Sequence, residues 1–91
     1  MKISYRVHAI RRMFERSISP DDVRQVLANG EAIADYPNDQ PSPSRLVLGT
    51  VGNRAVHVVV AYNEREDETI VITVYEPDPT LWEPDFRRRR S

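Results

Sequence analysis

The sequence predicts a two-layered α+β domain, with two N-terminal helices packed on a four-stranded antiparallel sheet. Three observations lead there. Residues 7–17 and 20–29 repeat apolar side chains at three- and four-residue spacing. Residues 55–63 and 69–76 are two runs rich in β-branched and aromatic residues, separated by a short charged link, the pattern of a long hairpin. The connections between segments are short, which favours antiparallel neighbours.

The start, Met1 to Tyr5, fits either an edge strand or a lead into the first helix and is left unassigned. From Val7 to Ser17 the repeat of Val7, Ile10, Met13 and Phe14 predicts a helix with an apolar stripe, Ala9 lying at its margin. His8, Arg12 and Arg16 lie four apart and form a polar row beside that stripe. Ser19-Pro20-Asp21-Asp22 is a helix start: a serine N-cap, proline at the first position and two carboxylates at the positive end of the dipole. Val23, Val26 and Leu27 form its buried side, and Asn29-Gly30 ends it, with a left-handed cap expected at the glycine. The surface of this helix carries Asp21, Asp22, Arg24 and Gln25, a poor set for reading DNA bases.

Glu31 to Tyr36 is a short strand, and Pro37 to Ser44 a proline-rich polar loop. Arg45 to Val51 is a second strand, with Leu46 and Leu48 on one side and Arg45, Val47 and Gly49 on the other. Gly52-Asn53 signals a tight turn into the long hairpin. Alternation there sets Val56, Val58 and Val60 with Ile70, Ile72 and Val74 on a purely apolar face, expected to lie beneath the helices. The opposite face carries His57, Thr73 and Tyr75, and Arg45 is expected to join them. After Tyr75 three prolines end the sheet, and Leu81, Trp82 and Phe86 are expected to fold back over a sheet edge or against the helices.

Ninety-one residues form a single domain, taken as residues 1–86, with the basic segment 87–91 expected to be a disordered tail. No apolar run has the roughly 18 residues a membrane helix needs, and there are no cysteines, so a cytoplasmic protein without disulfides is expected. Net charge is −1, but residues 1–16 hold five basic side chains against Glu15, residues 87–90 are four arginines, and the stretch between has a net charge of −9. That distribution gives two local anion-attracting surfaces and not a globally basic protein.

A histidine, an arginine and a tyrosine on one face suit phosphodiester cleavage by a neighbouring 2′-hydroxyl. His57 would act as base or acid, Arg45 and Arg12 would hold the phosphate, and Tyr75 would orient or protonate. His8 and Arg16 would contribute from the helix margin, and Thr73 from the sheet. The structural alternatives are a half-buried His57 bonded to a neighbour, a packing Tyr75, and an Arg45 paired with Glu76 or Asp35. No metal site is predicted, since His8 and His57 have no third ligand, and no cofactor is expected.

The pieces H-A-x-x-R-M-x-x-R at His8–Arg16, V-L-x-N-G-E at Val26–Glu31, Y-P-x-D-x-P-x-P-S-R-L at Tyr36–Leu46, H-V-V-V-A at His57–Ala61 and I-T-V-Y-E-P-D at Ile72–Asp78, followed by Trp82, together resemble the domain-of-unknown-function family DUF4258. That resemblance implies a fold similar to the RelE and ParE type toxins and related small ribonucleases, with two N-terminal helices on a curved antiparallel sheet. It also implies a site on the exposed sheet face and adjoining helix edge, at His8, Arg12, Arg16, Arg45, His57 and Tyr75. The expected function is a small metal-independent ribonuclease, toxin-like, acting on RNA and possessing an antitoxin-like partner protein. The alternative is a non-catalytic protein-binding module of the same fold, holding its partner through the Pro37–Pro43 loop and the Trp82 segment. No membrane partner is expected, and the oligomeric state is left open.

Overall fold

The computed structural model describes residues 2–91. Its elements run β1 (Lys2–Tyr5), α1 (Val7–Arg16), α2 (Pro20–Asn29), β2 (Glu31–Tyr36), β3 (Ser44–Val51), β4 (Arg54–Asn63) and β5 (Glu68–Tyr75). The α+β class and the two N-terminal helices are as expected. The sheet differs, having five strands in the order β1-β5-β4-β3-β2, with β1 parallel to β5 and every other pair antiparallel. The extra strand comes from the unassigned start, of which Met1 lies outside the described residues.

Both helices cover the same sheet face. Ala9 and Met13 of α1, Ile18 of the link and Val23 and Val26 of α2 meet Val47, Val56, Val58, Val71 and Val74 in one core. Each fully buried valine contributes about 1.5–3 kcal/mol before entropy is subtracted. α1 ends at Ser17, whose φ of 54° is left-handed, and the Ile18 amide returns to the Met13 carbonyl at 2.9 Å, closing the helix while both side chains enter the core. In α2 Ser19 and Asp22 form a reciprocal capping box. Gly30 is extended, with φ −81°, so the left-handed cap expected there is absent; the glycine is needed because a Cβ would strike the Val26 and Leu48 carbonyls.

Two register features decide which side chains share a face. The turn at Gly52-Asn53 holds two residues and pairs Val51 with Arg54, so Arg45 falls opposite Val60, and Leu48 opposite His57. Directly opposed residues point the same way, so Arg45 lies on the helix-covered side and Leu46 and Leu48 share the face of His57. The second feature is a bulge in β5: Val60 pairs with Val71, but Val59 pairs with Thr73, leaving Ile72 as the extra residue. The bulge moves Val71 into the core and Ile70 to the opposite side, and it sets Tyr75 directly opposite His57. The apolar hairpin face is therefore Val56, Val58 and Val60 with Val71 and Val74.

The helix-free face is covered by coil. Asp39 to Ser42 of the proline-rich loop face Ala61, Ile70 and Ile72 across a small cleft. The segment from Pro77 to Ser91 lies over the other end, where Trp82 and Pro77 are buried. Through Trp82 it packs on the helix-free face against His57, and through Arg87 it reaches Glu31 of the edge strand β2. The arginine run turns back along it: the Glu83 amide bonds the Arg88 carbonyl and the Arg90 amide the Leu81 carbonyl, each at 2.8 Å. Among the described residues no helix is long and apolar enough to cross a membrane.

Candidate functional site

His57 is the centre from which the proposed site can be judged. It is fully buried. Its Nε2 lies 2.8 Å from the backbone carbonyl of Phe86, an acceptor only, so this nitrogen carries the proton and donates. Nδ1 is then the acceptor, facing the Tyr75 hydroxyl at 3.2 Å. The imidazole is also edge-on to two rings, Trp82 with centroids 4.5 Å apart and Tyr75 at 5.2 Å. Burial holds its pKa below the ordinary value, an effect partly offset by the bond to Phe86. The half-buried Tyr75 hydroxyl is pushed up, chiefly by burial and then by the neighbouring Tyr36 phenol, with Arg89 acting the other way.

Of the residues expected to act together, the structure gathers His57, Tyr75 and Thr73 on one sheet face. It does not bring Arg45 there. Arg45 sits on the helix-covered side, largely exposed, with its Nε 3.2 Å from Asp35. Its charge is thus answered by one of the two acids weighed for it in sequence. His8, Arg12 and Arg16 belong to α1, across the sheet from His57. His8 is exposed, and Arg12 pairs with Glu15 at 3.7 Å. The side chain of Arg16 is exposed, and its backbone carbonyl accepts from Arg54. With the two histidines in different layers, they share no metal site. Trp82, assigned to partner binding in the alternative reading, is instead spent on covering His57.

Two features were missed from sequence. Arg54 donates to the Arg16 carbonyl at 2.9 Å and the Ser17 carbonyl at 3.1 Å, and its guanidinium reaches Glu76 at 3.4 Å and Asp22 at 4.0 Å. It ties the end of α1 to the start of α2 and the end of β5, and satisfies helix carbonyls that would otherwise lack partners. Nothing local to the Gly-Asn-Arg triplet announces that role. The second is the orientation of α1. Ala9 and Met13 are buried, whereas Val7, Ile10 and Phe14 are 72%, 54% and 89% exposed. The predicted stripe is therefore split, with only Met13 and the marginal Ala9 facing the sheet, and three apolar side chains at i, i+3 and i+7 facing solvent.

A cleft of about 990 Å³ lies on the part of the sheet near Val60, Tyr62 and Thr69, with Arg45 and Asp35 in its wall. Neither histidine lines it, and Arg45 already has a carboxylate in Asp35. It is not the pocket expected around His57.

No curated protein and no solved structure matches the chain. Residues 5–76 match the family described as Domain of unknown function (DUF4258), a span that begins at the last residue of β1, takes in both helices and β2 to β5, and stops one residue past β5. The segment that covers His57, residues 77–91, lies wholly beyond that span. By that match over most of its length, the chain belongs to the DUF4258 family.

Proposed function

We propose that the chain is a non-catalytic protein-binding module of RelE/ParE-type arrangement, which takes an acidic amphipathic segment of a partner along α1. The observation that carries this reading is the exposed stripe of Val7, Ile10 and Phe14. A solvent-facing apolar row of this kind on a helix is the geometry by which amphipathic segments dock. Arg6, His8, Arg11, Arg12 and Arg16 are exposed on or beside the same helix, with Glu15 the single acid among them. A second copy docked symmetrically through this stripe would set those cations against themselves, so the fitting partner is acidic. The RelE/ParE likeness is supported by the two N-terminal helices on one side of the sheet.

A test uses two synthetic amphipathic peptides with leucine at i, i+3 and i+7, one with glutamate between the leucines and one with lysine. The acidic peptide is expected to bind, to weaken as salt rises, and to be lost on Phe14→Asp. Failure to bind, or equal binding of both peptides, removes the reading.

Cleavage of RNA without metal is the second reading, and the contact between His57 and Tyr75 favours it. It requires the cover over His57 to lift and a cation other than Arg45 to hold phosphate. A fluorogenic RNA substrate in EDTA tests it: cleavage lost on His57→Gln supports it, and no cleavage, or cleavage unchanged by the substitution, removes it.

A further inference from the structure

We propose that His57 is a proton-sensitive latch: neutral, it holds residues 77–91 over the helix-free sheet face, and protonated, it releases them and bares that face. The surface concerned is across the sheet from α1, so this inference stands apart from the binding role proposed for that helix.

The contacts explain the latch. A neutral ring is satisfied at both nitrogens, donating to the Phe86 carbonyl of the covering segment and accepting from Tyr75 of β5. It also stands in T-shaped contact with Trp82 of the segment and with Tyr75. A second proton would go to Nδ1, forcing the Tyr75 hydroxyl to turn and accept, and would create a buried cation.

The surroundings offer that cation no countercharge, and the bond to the Phe86 carbonyl offsets only part of the effect of burial. From β5 it meets the Tyr75 phenol, with the Tyr36 phenol of β2 beyond it. From β3 the directly opposed residue is Leu48. The covering segment brings a further cation, Arg89, whose guanidinium carbon stands 5.5 Å from the Trp82 ring centre, and Arg87 at the margin is already paired with Glu31. Among the described residues no carboxylate pairs with the imidazole. Lifting the segment returns the ring to water, where protonation is ordinary.

The sign follows from proton counting. His57 binds a proton more readily when uncovered, because its pKa is lowered from 6.5 when covered. Closure is therefore at full strength above about 6.5 and weakens as pH falls from there toward the lowered value. Over that interval the ratio of open to closed segment rises by up to about tenfold per pH unit.

Trp82 is the single tryptophan and touches the latch, so its fluorescence reports directly. Acrylamide quenching of Trp82 in the full chain, read from pH 7.5 to pH 4.5, is paired with NMR titration of the His57 ring and with amide exchange at Val58 and Val71. The expected result is low quenching at neutral pH and a several-fold rise on acidification. That rise tracks the His57 ring with a midpoint below 6.5, while Val58 and Val71 stay protected. His57→Gln should abolish the pH dependence, and if that variant does not fold, the ring titration of the unaltered chain decides. The proposal is overturned if Trp82 stays shielded throughout, if the ring titrates at or above 6.5, if exposure comes only with loss of Val58 and Val71 protection, or if His57→Gln keeps the same profile.

Discussion

A methyl group built on Gly49 would stand 2.9 Å from Cγ1 of Val26, closer than side-chain carbons pack. Helix α2 therefore approaches β3 at a point where only hydrogen fits. Relieving the clash means moving α2 off the sheet or forcing Val26 from its rotamer, an overpacking cost of about 1–3 kcal/mol. Gly49→Ala should lower the urea midpoint accordingly with the slope unchanged. A neutral outcome would mean that α2 is free to shift.

Met13 and Phe14 are adjacent, apolar and opposite in environment, the first 6% and the second 89% exposed. Met13→Ala should cost about 2–5 kcal/mol through the cavity it leaves. Phe14→Ala should change stability by less than about 0.5 kcal/mol. Equal losses in chemical denaturation would show α1 rotated from the orientation described.

The Ser19 hydroxyl accepts from the Asp22 amide at 3.0 Å while the Asp22 carboxylate accepts from the Ser19 amide at 2.9 Å. Ser19→Ala should cost about 1 kcal/mol, and Ser19→Asp should retain most of the stability, since an aspartate at the cap accepts the same bond. Equal losses in the two variants, measured by thermal unfolding, would show that the cap contributes through something other than its acceptor.

Helix positions, the strands from β2 onward and the α+β class were legible, because each rests on a periodicity local to its own segment. The site was legible only in part, since His57, Thr73 and Tyr75 share a face as expected while Arg45 does not, and its membership depends on parity between segments. A turn of two residues opposes positions whose numbers add to an odd total, so from Gly52-Asn53 alone Arg45 belongs with Val60 and not with His57. That inference was open to a sequence reader. The bulge at Ile72 was not, since Ile-Val-Ile-Thr-Val alternates evenly, and it is this bulge that sets Tyr75 opposite His57. For α1 a stripe of large apolar residues outweighed Ala9 in the pattern, yet the small side chain is the one that lets the helix lie close to the sheet. β1 was undecided because its pairing partner lies more than sixty residues away.

Tyr5 ends β1 and packs against the core, and its hydroxyl is buried with no hydrogen-bond partner among the described residues. A buried hydroxyl stripped of water without a replacement partner costs roughly 1–3 kcal/mol. Its ring, by contrast, contributes apolar area that phenylalanine would keep. Tyr5→Phe should therefore be neutral or raise stability by about 1 kcal/mol, against the usual tendency of core substitutions to destabilise. Tyr5→Ala separates the two contributions, since it removes ring and hydroxyl together and should cost about 3 kcal/mol or more. A clear loss on Tyr5→Phe in urea titration would mean that the hydroxyl has a partner, and that the parallel edge strand is held by a polar contact as well as by its ladder to β5.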